Sequence, residues 1–137
     1  MYRSIMVPVD LEHAQALDKA LGTAAGLAQQ FGATVTYVAV TSAAPGAVAH
    51  DPEEFAAQLA DFAGEQGRRF GIETSSLTRV SHDPAADLDR TLLKAAEELD
   101  ADLIVMASHV PGVAEHIFAS HAGYVASHAK TSVFVVR

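Results

Sequence analysis

Four short apolar runs, rich in β-branched residues and separated by helical patterns, constrain this chain more than any other feature. They are Ile5 to Val9 (IMVPV), Val35 to Val40 (VTYVAV), Leu103 to Ala107 (LIVMA) and Val133 to Val136 (VFVV). Runs this continuous suit parallel strands covered on both faces, where no side of the strand meets water. A fifth, weaker run from Glu73 to Val80 alternates and carries Ser and Thr, which places it at a sheet edge.

Helical spacing fills the gaps. Leu17, Leu21, Ala24, Leu27 and Phe31 recur on one helix face, and Gly32 ends that helix. Asp51-Pro52 reads as an N-cap followed by Pro at the first helical position, with Phe55, Leu59 and Phe62 as the buried stripe. Asp83-Pro84 repeats the signal, ahead of Leu88, Leu92, Ala95, Ala96 and Leu99. A fourth helix is expected over about Val113 to His128, and residues 41 to 50 form a small-residue loop. The order is β-α-β-α-β-α-β-α-β. Right-handed crossovers then give an α/β fold, an open doubly wound parallel sheet with helices on both faces. Ligands of such sheets sit beyond the C-terminal strand ends, where the winding reverses. With the first and fourth strands adjacent, that crevice is lined by Pro8 to Leu11, Val40 to Ser42 and Ala107 to Gly112.

Composition removes several classes of function. The chain has 137 residues, enough for one domain over 1–137, and half of them are hydrophobic. A net charge of −8, with scattered Lys and Arg, argues against nucleic-acid binding. The absence of cysteine removes disulfides, thiolate metal sites and a Cys nucleophile. The first apolar run breaks at Asp10, too early for a signal segment, and nothing is long enough to span a membrane. A cytoplasmic protein is expected.

In order and spacing the whole chain resembles the universal stress proteins. The resemblance is carried by MYRSIMVPVD, DPAADL, ADLIVMASHVPG and VASHAKTSVFVVR. It is nearest to small bacterial members that read ASH-x-P in the loop and HA-x-x-SV-x-VVR at the end. It implies a five-stranded parallel sheet in the order 3-2-1-4-5. It also implies a homodimer that pairs the last strand, here Thr131 to Arg137, across a two-fold axis. One branch of the family binds ATP or AMP, and another has lost that ability.

In the binding branch a glycine motif, G-x2-G-x9-G-[ST], follows the fourth strand. Carried over, Met106 precedes the first glycine, Ala107 replaces it, and Ser108 and His109 follow. Val110 replaces the second glycine and Ala119 the third, with Ser120 next and the loop one residue shorter. Pro8 and Asp10 match the P-x-D whose Asp contacts adenosine, and Val40 matches the residue whose backbone reads the adenine edge. The resemblance thus assigns Pro8, Asp10 and Val40 to the adenosine. It assigns Met106, Ala107, Ser108, His109, Ser120 and His121 to the phosphates, with ATP or AMP as ligand and Mg²⁺ beside ATP.

Glycines in a phosphate loop permit positive φ and close approach of backbone N–H groups. Alanine at 107 is a mild change. Valine at 110 is harsher, because a β-branched residue avoids φ > 0. Two readings therefore stay open. The first is a non-catalytic nucleotide-binding stress protein. The second is a nucleotide-free module acting through its dimer surface or a regulatory protein partner. Catalysis is not expected, because no nucleophile elbow is present and Lys94 is the one cation between Arg90 and Lys130. No metal site is expected among His109, His116, His121 and His128, whose spacing lacks an i, i+4 pair. Beside the adenosine contact that the resemblance assigns, Asp10 has two further readings, a helix cap and a ligand for Mg²⁺.

Overall fold

The computed structural model describes the backbone of residues 1–108 and 115–137, and the side chains of 1–108 and 121–137. Five strands form one parallel sheet in the order β3-β2-β1-β4-β5. They are β1 (Ser4–Pro8), β2 (Thr34–Thr41), β3 (Thr74–Val80), β4 (Leu103–Ala107) and β5 (Ser132–Val136). The expected runs are these strands to within a residue at either end, and the Ser/Thr-rich run is the edge strand β3. Four α-helices cross between them: α1 (Asp18–Phe31), α2 (Pro52–Phe70), α3 (Pro84–Glu98) and α4 (Glu115–His128). The expected start of α4 at Val113 lies outside the described residues.

The core has two layers, as two-sided burial requires. One joins α1 and α2 to the sheet through Leu21, Ala24, Tyr37, Leu59 and Val105. The other joins α3 and α4 through Met6, Val38, Leu92, Ile104 and Val125. Alternation along β4 divides it between the two: Val105 and Ala107 face the α1 side, Ile104 and Met106 the α3 side.

Local signals set the helix ends. The Asp51 and Asp83 side chains accept from the N–H groups of Glu54 and Ala86, with Pro at the start of each helix. Gly32 and Gly71 close α1 and α2 with φ of 66° and 63°, a backbone state that glycine enters freely. One expectation shifts. The buried stripe of α1 is Ala20, Leu21, Ala24, Ala25 and Ala28, while Leu27 and Phe31 lie at its rim. Small side chains let α1 pack close to β1 and β4, and Phe31 instead meets Tyr2 edge-on, ring centroids 5.4 Å apart. No helix of the described residues is long and apolar enough to cross a membrane.

Candidate functional site: the crevice beyond β1, β2 and β4

Strand lengths make the crevice. The β1–β2 ladder ends at Pro8↔Val38, with Val9 N–H donating to the Val38 carbonyl at 2.9 Å. Strand β2 continues to Thr41. Parallel strands aim successive residues' backbone groups to alternate sides. Thr41 accepts from Ser81 N–H on the β3 side, and Val38 faces β1. Val40 therefore presents its N–H and C=O beyond the end of β1, where no strand stands beside it. A donor and an acceptor, side by side on rigid backbone, open into the crevice.

A cavity of about 210 Å³ lies there. Pro8, Asp10, Val40 and Met106 all line it, so three segments distant in sequence meet at one place. Its far wall is Pro84, Ala85 and Leu88 at the start of α3, where the sequence pattern signals only a helix cap and a core stripe. Among its lining residues none is Lys or Arg.

Asp10 caps a 3-10 helix over Leu11–Leu17. One carboxylate oxygen accepts from Glu12 N–H at 3.1 Å, and the other meets His13 Nδ1 at 2.8 Å. That bond is the main cause that raises the His13 pKa above its ordinary value. Each Asp10 oxygen keeps a second lone pair for a ligand hydroxyl. Asp10, Glu12 and His13 bring their metal-ligating atoms within 4.8 Å of one another, a grouping that their spacing in the sequence does not announce.

The phosphate side is mixed. Met106 is buried and faces the crevice. Ala107 belongs to the α1-side layer and lines a different cavity from the crevice. Ser108 directs both donors to the Val136 carbonyl, the N–H at 2.9 Å and the hydroxyl at 3.3 Å, which prolongs the β4–β5 ladder. His109 and Val110 lie outside the described residues, as do the side chains of His116, Ala119 and Ser120. His121 is held by α3, its Nδ1 2.5 Å from Asp89 Oδ1 in a largely buried pair. His128 turns away, stacked on Tyr124 with centroids 3.9 Å apart and its Nδ1 at the Tyr124 carbonyl. Two cations lie near Ala107: Lys19, which no motif singles out, and Arg137, the last residue of the VVR motif. Lys19 and Arg137 line a cavity of about 180 Å³ with Ala107 on the α1 side, and Lys19 Nζ donates to the Arg137 carbonyl at 2.6 Å.

The family model described as "Universal stress protein family" matches residues 1–137. The chain belongs to the universal stress protein family. It is 32% identical to universal stress protein G of Salmonella typhimurium, over 100% of both chains. A solved universal stress protein from Archaeoglobus fulgidus superposes with a TM-score of 0.70 at 26% identity, covering 100% of both. The structure of the universal stress protein from the same organism in complex with dAMP gives 0.69 at 25% identity, over 99% of this chain and 98% of that one. The sheet order that the resemblance implied is the order of this family member.

Proposed function

We propose that this universal stress protein binds an adenine nucleotide, AMP or ATP, without turning it over. The observation that carries the reading is the backbone pair of Val40, unpaired among the described residues, over a cavity walled by Pro8, Asp10 and Met106. An adenine edge needs one acceptor and one donor side by side, and Val40 offers both. The Asp10 carboxylate, on the same cavity wall, would accept from ribose hydroxyls. The dAMP complex of the Archaeoglobus fulgidus relative supports the same ligand class here. The cavity of about 210 Å³ is smaller than the roughly 300–1,000 Å³ of pockets that enclose a drug-sized ligand, so it would take part of the nucleotide, and the residues at hand favour the nucleoside. With ATP, Mg²⁺ would accompany the phosphates past the carboxylates of Asp10 and Glu12. Among the described lining residues none is Lys or Arg, so a phosphoryl transfer here would have to find its charge stabilisation elsewhere.

The wider reading is a cytoplasmic stress-response homodimer joined through Thr131 to Arg137. Phe134 on edge strand β5 is 44% exposed, an apolar edge that strand pairing would cover. A nucleotide-free module is the second reading, favoured by Ser108, whose donors both engage Val136. Calorimetric titration of nucleotide-stripped protein with AMP and ATP, with and without Mg²⁺, separates the two. Saturable binding that weakens in Asp10→Asn supports the nucleotide site; a flat isotherm from folded protein supports the second reading.

A further inference from the structure

The far edge of the sheet carries a different feature. Strand β3 is an edge strand of seven residues, in unbroken register with β2 from Val35↔Thr74 to Thr41↔Val80. Val35 N–H donates to the Glu73 carbonyl, and Ser81 N–H to the Thr41 carbonyl. By parallel-ladder alternation Ser76 and Thr78 turn their N–H and C=O outward. Edge strands are usually protected by proline, a bulge or an inward charge. The sequence TSSLTRV has no proline, its pairing has no bulge, and Val80 at its end is 53% exposed.

Charge gathers beside this edge. The chain has nine Lys and Arg residues and a net charge of −8. Three of those cations, Arg79, Arg90 and Lys94, line one cleft of about 290 Å³ between β3 and α3, where Glu98 is the one carboxylate among the described lining residues and Asp87 reaches Arg90 from beside it. Arg90, Lys94 and Glu98 follow each other at four-residue steps, so they form one stripe along α3 parallel to the cleft. Arg79 pairs with Glu98, and Arg90 pairs with Asp87 at 2.6 Å while its side chain stays 80% exposed. The cleft keeps an excess of positive charge in an acidic protein, beside an open row of backbone donors and acceptors.

We propose that the β3 edge is a docking site for an acidic, extended segment of a partner protein, which adds as a sixth strand beside Ser76 and Thr78 and sets its carboxylates against Arg79, Arg90 and Lys94. Main-chain hydrogen bonds give such strand addition its affinity, and side-chain charge gives it selectivity. A second copy of this chain fits poorly, because pairing two β3 edges would oppose the same three cations. The site lies at the other edge of the sheet from β5 and does not depend on a nucleotide.

The test uses the full chain and a short fluorescent peptide of alternating Glu and Val, followed by anisotropy and by backbone amide spectra. Expected are saturable binding, amide shifts centred on Ser76 and Thr78, and weakening by about tenfold or more in Arg90→Glu/Lys94→Glu, both at helix positions clear of the core. The same peptide N-methylated at alternate positions, with its charges intact, should lose binding. Equal binding of the N-methylated peptide, or displacement by inorganic pyrophosphate at matched charge, would overturn strand addition in favour of a simple anion patch. So would a peptide that binds the charge-reversed protein equally well, or a β3-mediated self-dimer.

Discussion

Two glycines three residues apart on α2 should respond to alanine with opposite signs. In a helix interior Gly→Ala removes backbone freedom from the unfolded chain and stabilises by about 0.5–1 kcal/mol. At Gly64 an added Cβ would meet only Arg68 Nη1 at 3.5 Å, the end of a flexible side chain. Gly64→Ala should therefore gain about 0.5–1 kcal/mol. At Gly67 the same Cβ would lie 2.7 Å from Thr74 Oγ1 and 3.1 Å from the Ile72 carbonyl. Thr74 Oγ1 is already engaged, donating to the Ala63 carbonyl at 2.7 Å, and the Ile72 carbonyl is backbone. Relief requires α2 to move off β3, at about 1–3 kcal/mol for overpacking, plus about 0.5–1.5 kcal/mol for the hydrogen bond. Set against the helical gain, Gly67→Ala should lose roughly 0.5–4 kcal/mol. Urea unfolding of both variants, fitted with a common m-value, measures this. A Gly67→Ala protein as stable as the parent would refute the close α2–β3 approach.

Other consequences are open to single experiments. Leu59 is fully buried, so Leu59→Ala should cost about 2–5 kcal/mol in the same assay. The raised His13 pKa means that its bond to Asp10 contributes stability that is fully present below the ordinary histidine value and is lost as pH rises through the folded one. Asp10→Asn should move the His13 titration, followed by NMR, back toward 6.5, and an unchanged titration would show another cause. Tyr37 is buried with its pKa pushed up to about 12 by burial, and among the described residues its hydroxyl has no hydrogen-bond partner. Tyr37→Phe should thus be neutral or stabilise by about 1–3 kcal/mol in urea unfolding, and a clear loss would mean that the hydroxyl is paired. Phe134→Glu should shift light-scattering mass toward monomer if β5 pairs copies, and an unchanged dimer would move the interface elsewhere.

The sequence displays what local chemistry decides. Asp51-Pro52 and Asp83-Pro84 mark helix starts because capping acts within four residues, and LIVMA is β4 to the residue. The stripe of α1 departs from its helical pattern because the sheet, not the helix, selects small residues there. The 3-10 turn after β1 was hidden for a related reason: Asp10 engages Glu12 N–H and His13 together, and His13 departs from helical geometry at φ −122°, ψ 29°. In the site, Pro8, Asp10 and Val40 line the cavity at the strand ends that sheet topology marks out, whereas Met106 is singled out only by the family resemblance. The α3 wall, the Asp10–Glu12–His13 grouping and the His121–Asp89 bond were not legible, since each joins segments or roles that periodicity treats separately. The bonds from Ser108 to Val136 depend on the register of β4 on β5, which no local pattern encodes.

The most direct test of the nucleotide site is an amide spectrum of the stripped protein titrated with AMP. The account predicts saturable shifts at Val9 to Leu11, Val40, Ala85 and Met106, with Val40 N–H moving most as it meets the adenine edge. Shifts that avoid Val40 and Asp10, or no shifts in a folded protein at saturating AMP, would contradict it.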